Sequence, residues 1–254
     1  MPRRARLNLP EVPLHIVQRG NNRQPTFFAE GDYAFYLECL RDAAEQHACD
    51  VHAYVLMTNH VHLLVTPHTP NGASRLIQAL GRRYVQYVNY TQRRSGTLWE
   101  GRFKASLVES EAYLLTCYRY IELNPVRARM VEAPGAYRWS SYGYHALGGA
   151  DPVVRDHPLY IALGPTEDAR RNAYCELFRH ALEPTALGQI RQSLNDGMVL
   201  GTAGFKERVE QALHRLLRAP TRSRPRKFVA RERRVASYHR TGSQNDSDPI
   251  SHES

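Results

Sequence analysis

The segment from Val51 to Thr66 constrains this chain more than any other. Val51 to Met57 is a run of β-branched, apolar and aromatic residues, Thr58-Asn59 is a tight-turn signal, and His60 to Thr66 returns as the hairpin partner. Side chains alternate faces along a strand. Val61, Leu63 and Val65 therefore point into a core, while His60 and His62 stand side by side on the other face. Two neutral imidazoles at i and i+2 can ligate one divalent ion. The pair acquires weight when a third ligand and a reactive group arrive on a neighbouring element.

The flanking segments supply those elements. His15 to Arg19 reads as a strand closed by the turn Gly20-Asn21-Asn22. Asp32 is placed to cap a helix running to about His47, with Ala34, Leu37, Leu40 and Ala44 at helical spacing. Residues 73–92 form a long amphipathic helix rich in Arg and Tyr, and 102–109 reads as a fourth strand. Residues 111–124 form a helix that Pro125 stops. The order β-α-β-β-α-β-α is that of an α+β, ferredoxin-like split βαβ fold, an antiparallel sheet covered by helices.

That last helix sorts its tyrosines by geometry. Leu114, Tyr118 and Ile121 share an apolar stripe, whereas Thr116, Tyr120 and Asn124 share a more polar one. Tyr120 and Asn124 thus pair a hydroxyl with an amide oxygen one turn apart, and Tyr113 is the rival hydroxyl on that side. A phenol has an ordinary pKa near 10 and is a weak nucleophile unaided. A cation held by two His and one amide oxygen would polarise a phosphodiester and stabilise the departing oxygen. Attack then gives a phosphotyrosyl enzyme and retains the ester energy without ATP.

Composition narrows the partner and the compartment. The 254 residues carry a net charge of +9, with 42% hydrophobic and 9% aromatic residues, enough for a core. From Arg218 to Arg240 nine Lys/Arg face one Glu, and the final fourteen residues carry three acids and no Lys or Arg. The excess charge therefore sits in a tail that suits a polyanion, or is a solvated extension. No apolar run approaches the ~20 residues of a membrane span. The N-terminal Met1 to Arg6 has no apolar stretch behind it, and the four cysteines show no CxxC spacing. A reduced cytoplasmic, nucleoid-associated setting is expected. Three parts are expected: residues 1–148 as the chemical domain, 151–217 as a helical extension, and 218–254 as a disordered basic tail. Residues 148–152 read as a linker.

Several segments together resemble the REP-associated tyrosine transposases, relatives of the insertion-sequence transposases in the single-tyrosine HUH group. They are His15-Ile-Val-Gln-Arg-Gly-Asn-Asn-Arg23, Asn59-His-Val-His-Leu-Leu-Val65, Leu98-Trp-Glu-Gly-Arg-Phe103, Tyr120-Ile-Glu-Leu-Asn-Pro-Val-Arg127 and Trp139-Ser-Ser-Tyr142. The resemblance implies His60 and His62 as metal ligands, Asn124 as the third, Tyr120 as nucleophile, and Mg2+ or Mn2+ as cofactor. It implies cleavage of single-stranded DNA beside palindromic hairpins, by a monomer or a homodimer. Candidate DNA contacts are Arg19, Asn21, Asn22, Arg23, Arg82, Arg83, Arg102 and Lys104, with Trp99 and Phe103 as stacking platforms. Residues 195–227 resemble a family extension whose Arg224-Pro-Arg226 suits a narrow minor groove. Two further readings stand beside this one. One is a non-catalytic or autoregulatory hairpin-DNA-binding protein. The other is a metal-dependent hydrolase, which would need carboxylate ligands that have no evident spacing here. No GxxxxGK[ST] motif is present, which argues against a fused replicative helicase.

Overall fold

A computed structural model describes residues 6–214. The strands are β1 (Leu14–Arg19), β2 (Cys49–Met57), β3 (His60–Pro67), β4 (Lys104–Val108) and β5 (Val199–Leu200). They form one sheet in the order β2-β3-β1-β4-β5, antiparallel except for the β4–β5 pair. The first four strands and the helices between them follow the expected split βαβ order. The short β5 was outside that expectation. It adds Val199 and Leu200 to the β4 edge after the left-handed Gly197 ends the preceding helix.

The parity of the strands divides the core. Leu14, Ile16, Val61, Leu63, Val65, Tyr54 and Leu56 face α1 (Glu30–Gln46) and α2 (Gly72–Thr91). Ala53, Val55, Met57, Leu64 and Val108 face α3 (Ser110–Glu122). Asp32 acts from inside α1 and not at its start. Its Oδ2 accepts from the Phe28 and Ala29 N–H groups at 2.7 and 3.0 Å, satisfying donors that a helix start leaves unpaired.

Proline at 125 does not end the helical path as expected. The chain breaks at Leu123 and resumes as α4 (Asn124–Arg127), with Pro125 in the first turn, where no N–H is required of it. Beyond it lie α5 (Tyr142–Leu147), α6 (Pro158–Ile161), α7 (Glu167–Glu176), α8 (Pro184–Asp196) and α9 (Ala203–Leu213). The 148–152 stretch is engaged with the sheet: Tyr54 Oη donates to Asp151 Oδ2 at 2.7 Å, and Val154 bridges to Val51. A buried Glu122 joins α3 to the helices after it. Its carboxylate accepts from Ser141 Oγ at 2.6 Å, His145 Nδ1 at 2.8 Å and Tyr174 Oη at 2.6 Å. All described residues fall within one compact unit. Among them, no helix is long and apolar enough to cross a membrane.

Candidate active site

Register brings the chemistry to one face. On β3, His60 and His62 lie opposite Arg19 and Val17 of β1, and alternation puts His15 on that same face. The β4 neighbours of Val17 and His15 are Lys104 and Ser106. Helix α3 covers this face and sets Tyr120 over it. The Tyr120 ring meets His62 edge-on at 5.9 Å between centroids and His15 at 5.6 Å. His60 and His62 are 5.2 Å apart. Four rings from β1, β3 and α3 of one chain therefore converge.

Each of the paired histidines has one nitrogen engaged. His60 Nδ1 donates to Asn59 Oδ1 at 2.7 Å, which leaves its Nε2 with a lone pair. His62 Nδ1 lies 2.9 Å from His15 Nε2. Burial lowers the pKa of His60 to about 4, with Arg19 adding to the shift. Burial likewise takes His62 well below its ordinary value, and the neighbouring His15 and His60 reinforce it. His15 falls to about 3, first from burial and then from Arg127. All three are therefore neutral near pH 7, the form that ligates metal.

Asn124 follows Tyr120 by one turn, and its Nδ2 donates to the Tyr120 carbonyl at 3.3 Å. Its Oδ1 is the remaining donor atom of that amide. Among the described residues no group of three His, Cys, Asp or Glu is arranged to hold a metal ion. Asn124, the third ligand that the family resemblance implies, opens α4 directly after the Tyr120 helix. The donor set fits a divalent cation that is also bound by phosphate oxygen.

Arg127 is a participant that sequence reasoning missed. Its guanidinium lies 4.3 Å over the Tyr120 ring, and Nη2 donates to the Tyr120 carbonyl at 2.5 Å. Burial lowers its pKa to about 10. The helical spacing of Tyr120 and Arg127, two turns apart, was the available signal. Tyr120 itself is buried, not at a polar rim, and Tyr118 is a core tyrosine as its stripe implied. Tyr113, the rival hydroxyl, donates to Gln189 on α8 at 3.3 Å.

The candidate DNA contacts divide into groups. Gln18, Gln78, Arg82, Trp99, Arg102 and Phe103 line an open groove between α2 and the 99–103 loop. Gln18 has the opposite parity to Val17 and Arg19, so this groove lies across the sheet from the histidines. Phe103 is half-buried under the Arg6 guanidinium at 3.6 Å. Trp99 is 5% exposed and packs near Tyr36 and Tyr84, a core position more than a stacking platform. Arg83 turns away, pairing with Glu38 at 2.7 Å and Asp42 at 2.6 Å on α1. Arg19 flanks His60, and Lys104 donates to Asn195 at 2.8 Å. Asn21, Asn22 and Arg23 form an exposed to half-exposed turn in which Asn22 and Arg23 adopt positive φ. Arg224 and Arg226 lie outside the described residues.

Comparison with known proteins places this architecture. Residues 8–124 match the profile of the IS200-like transposases. The match spans a little under half of the chain and covers β1 to α3 together with His60, His62, Tyr120 and Asn124. A solved REP-associated tyrosine transposase bound to a REP hairpin superposes with a TM-score of 0.51 at 14% identity, over 62% of this chain and 93% of that one. That likeness speaks for the fold. A Deinococcus radiodurans R1 protein named as a candidate transposase aligns at 24% identity, TM-score 0.34, over 48% of this chain and 96% of that one. No curated protein matches the sequence.

Proposed function

We propose that this protein is a transposase that cleaves single-stranded DNA beside REP-type hairpins and transfers the strand through a Tyr120 phosphoester. The observation that carries the reading is the contact of the Tyr120 ring with His62 of its own chain at 5.9 Å. It supports a site assembled from the residues of one protomer, and a monomer is the working unit we propose. His60 Nε2, His62 Nε2 and Asn124 Oδ1 are the atoms that would hold Mg2+ or Mn2+. A divalent ion there would draw charge from the phosphodiester and stabilise the departing 3′ oxygen.

The residues themselves account for the remaining steps. Tyr120 Oη attacks phosphorus, the bond to the 3′ oxygen breaks, and the phenol proton ends on that oxygen. The products are a 5′-phosphotyrosine and a 3′ hydroxyl, and attack by another 3′ hydroxyl reverses the step onto a new strand. Arg127 holds the Tyr120 ring and carbonyl in place. The charges acting on the histidines are the cations Arg19 and Arg127, a local field suited to a phosphate. The groove bearing Arg82, Arg102 and Phe103 is the surface we assign to the hairpin. Support for hairpin DNA as ligand comes from the solved relative, which carries one.

The test is a denaturation-resistant adduct on a single-stranded oligonucleotide with a REP-type hairpin. Adduct is expected with Mn2+, and none with EDTA. Hairpin binding without adduct under any divalent ion would instead support the non-catalytic DNA-binding protein.

A further inference from the structure

Strand β1 contributes a histidine that the proposed chemistry leaves without a role. His15 has no exposed surface, and its Nε2 lies 2.9 Å from His62 Nδ1. The two rings are 5.2 Å apart, tilted by 32°. The other nitrogen, His15 Nδ1, is sealed and has no hydrogen-bond partner.

Between two neutral imidazoles this contact holds one proton. With that proton on His15 Nε2, His62 keeps its own proton on Nε2 and cannot ligate through it. With the proton on His62 Nδ1, Nε2 carries a lone pair, and the His15 proton sits on the sealed Nδ1. An unpaired buried N–H is unfavourable by about 1–3 kcal/mol. In both arrangements His62 Nδ1 is occupied. His60 is held the same way, through Nδ1 by Asn59 Oδ1.

We propose that His15 is a positioning residue that grips His62 by Nδ1, so that Nε2 is the nitrogen His62 presents to a divalent cation. The inference rests on the reading of His60 and His62 as cation ligands. A group on the far nitrogen of a metal-binding histidine orients the ring, and its loss weakens metal binding by ~10–100-fold. His15→Phe preserves an aromatic ring and removes both nitrogens. His15→Gln returns an amide oxygen that can accept from His62 Nδ1.

The experiment measures Mn2+ affinity of the full chain, without DNA, from the electron paramagnetic resonance of unbound Mn2+. We expect His15→Phe to bind ~10–100-fold more weakly, His15→Gln to stay close to wild type, and His62→Ala to lose the site. Wild-type affinity in His62→Ala would overturn the cation-site reading itself. Loss in His62→Ala with wild-type affinity in folded His15→Phe would overturn the role of His15 alone. The wild-type protein gives a second measure if His15→Phe does not fold. In long-range 1H–15N spectra, Zn2+ should move the Nε2 resonance of His62; movement at Nδ1 instead would refute the proposal.

Discussion

Two tyrosine-to-phenylalanine changes should have opposite consequences, although each deletes one oxygen from a fully buried ring. Tyr174 Oη donates to Glu122 Oε2 at 2.6 Å, and neither Glu122 nor Tyr174 has exposed surface. Tyr36 is equally buried, and its hydroxyl has no partner. Tyr174→Phe removes a hydrogen bond to a charged group and leaves a carboxylate oxygen bare, a loss of about 2–3 kcal/mol. For a chain of this size that is a fall in Tm of roughly 5–10 °C. Tyr36→Phe removes a hydroxyl that folding strips of water without compensation, so stability should be unchanged or raised by up to ~1 kcal/mol. Urea unfolding followed by circular dichroism, with a common slope for all three proteins, reads the difference. Neither change touches the site proposed for strand cleavage, so adduct yield below the unfolding transition should match wild type in both. Equal destabilisation by the two changes would refute the reasoning, because ring packing and not the Glu122 network would then account for both.

Three further outcomes follow from the site. Burial holds His15 at a pKa of about 3 and His60 at about 4, below the ordinary 6.5. Below that ordinary value the unfolded chain binds protons that the folded one does not, so stability is full above pH 6.5 and falls toward pH 4. For the fully buried His15 the loss by pH 5 is about 2 kcal/mol; a Tm in EDTA that stays flat from pH 7 to 5 would contradict it. In hairpin binding, Arg82→Ala and Arg102→Ala should each lower the slope of log Kd against log salt by about 0.7–0.9, the value of one lost phosphate contact. Arg83→Ala, whose guanidinium is paired on α1, should leave that slope unchanged, and an equal drop would misplace the groove. Arg127→Met should slow adduct formation by roughly tenfold or more through loss of the ring contact and carbonyl bond, with hairpin binding retained; an undiminished rate would remove Arg127 from the site.

How far the sequence could be read depended on the range of the interaction involved. The hairpin, the long helices and the facing of His60 and His62 follow from local periodicity, which a chain displays without knowledge of its neighbours. The parity of β3 placed both histidines, and the four-residue spacing linked Tyr120 to Asn124. The His15–His62 contact was hidden because it depends on how β1 registers against β3, with Val17 opposite His62. Trp99 looked like an exposed platform, yet its ring joins Tyr36 and Tyr84 in the core beneath α1 and α2. Arg83 and Arg82 are adjacent on α2, and only the position of α1 decides that Arg83 meets Glu38 and Asp42. Strand β5 is two residues long, too short to carry a periodicity of its own.

The choice of nucleophile is open to a direct chemical test, because trypsin cuts on either side of it. Cleavage after Lys104, Arg119 and Arg127 puts Tyr113 and Tyr118 on residues 105–119 and Tyr120 on residues 120–127. After reaction with the hairpin oligonucleotide and nuclease trimming, mass spectrometry should find the nucleotide on the 120–127 peptide. A nucleotide mass on 105–119, with 120–127 unmodified, would contradict the account at its centre.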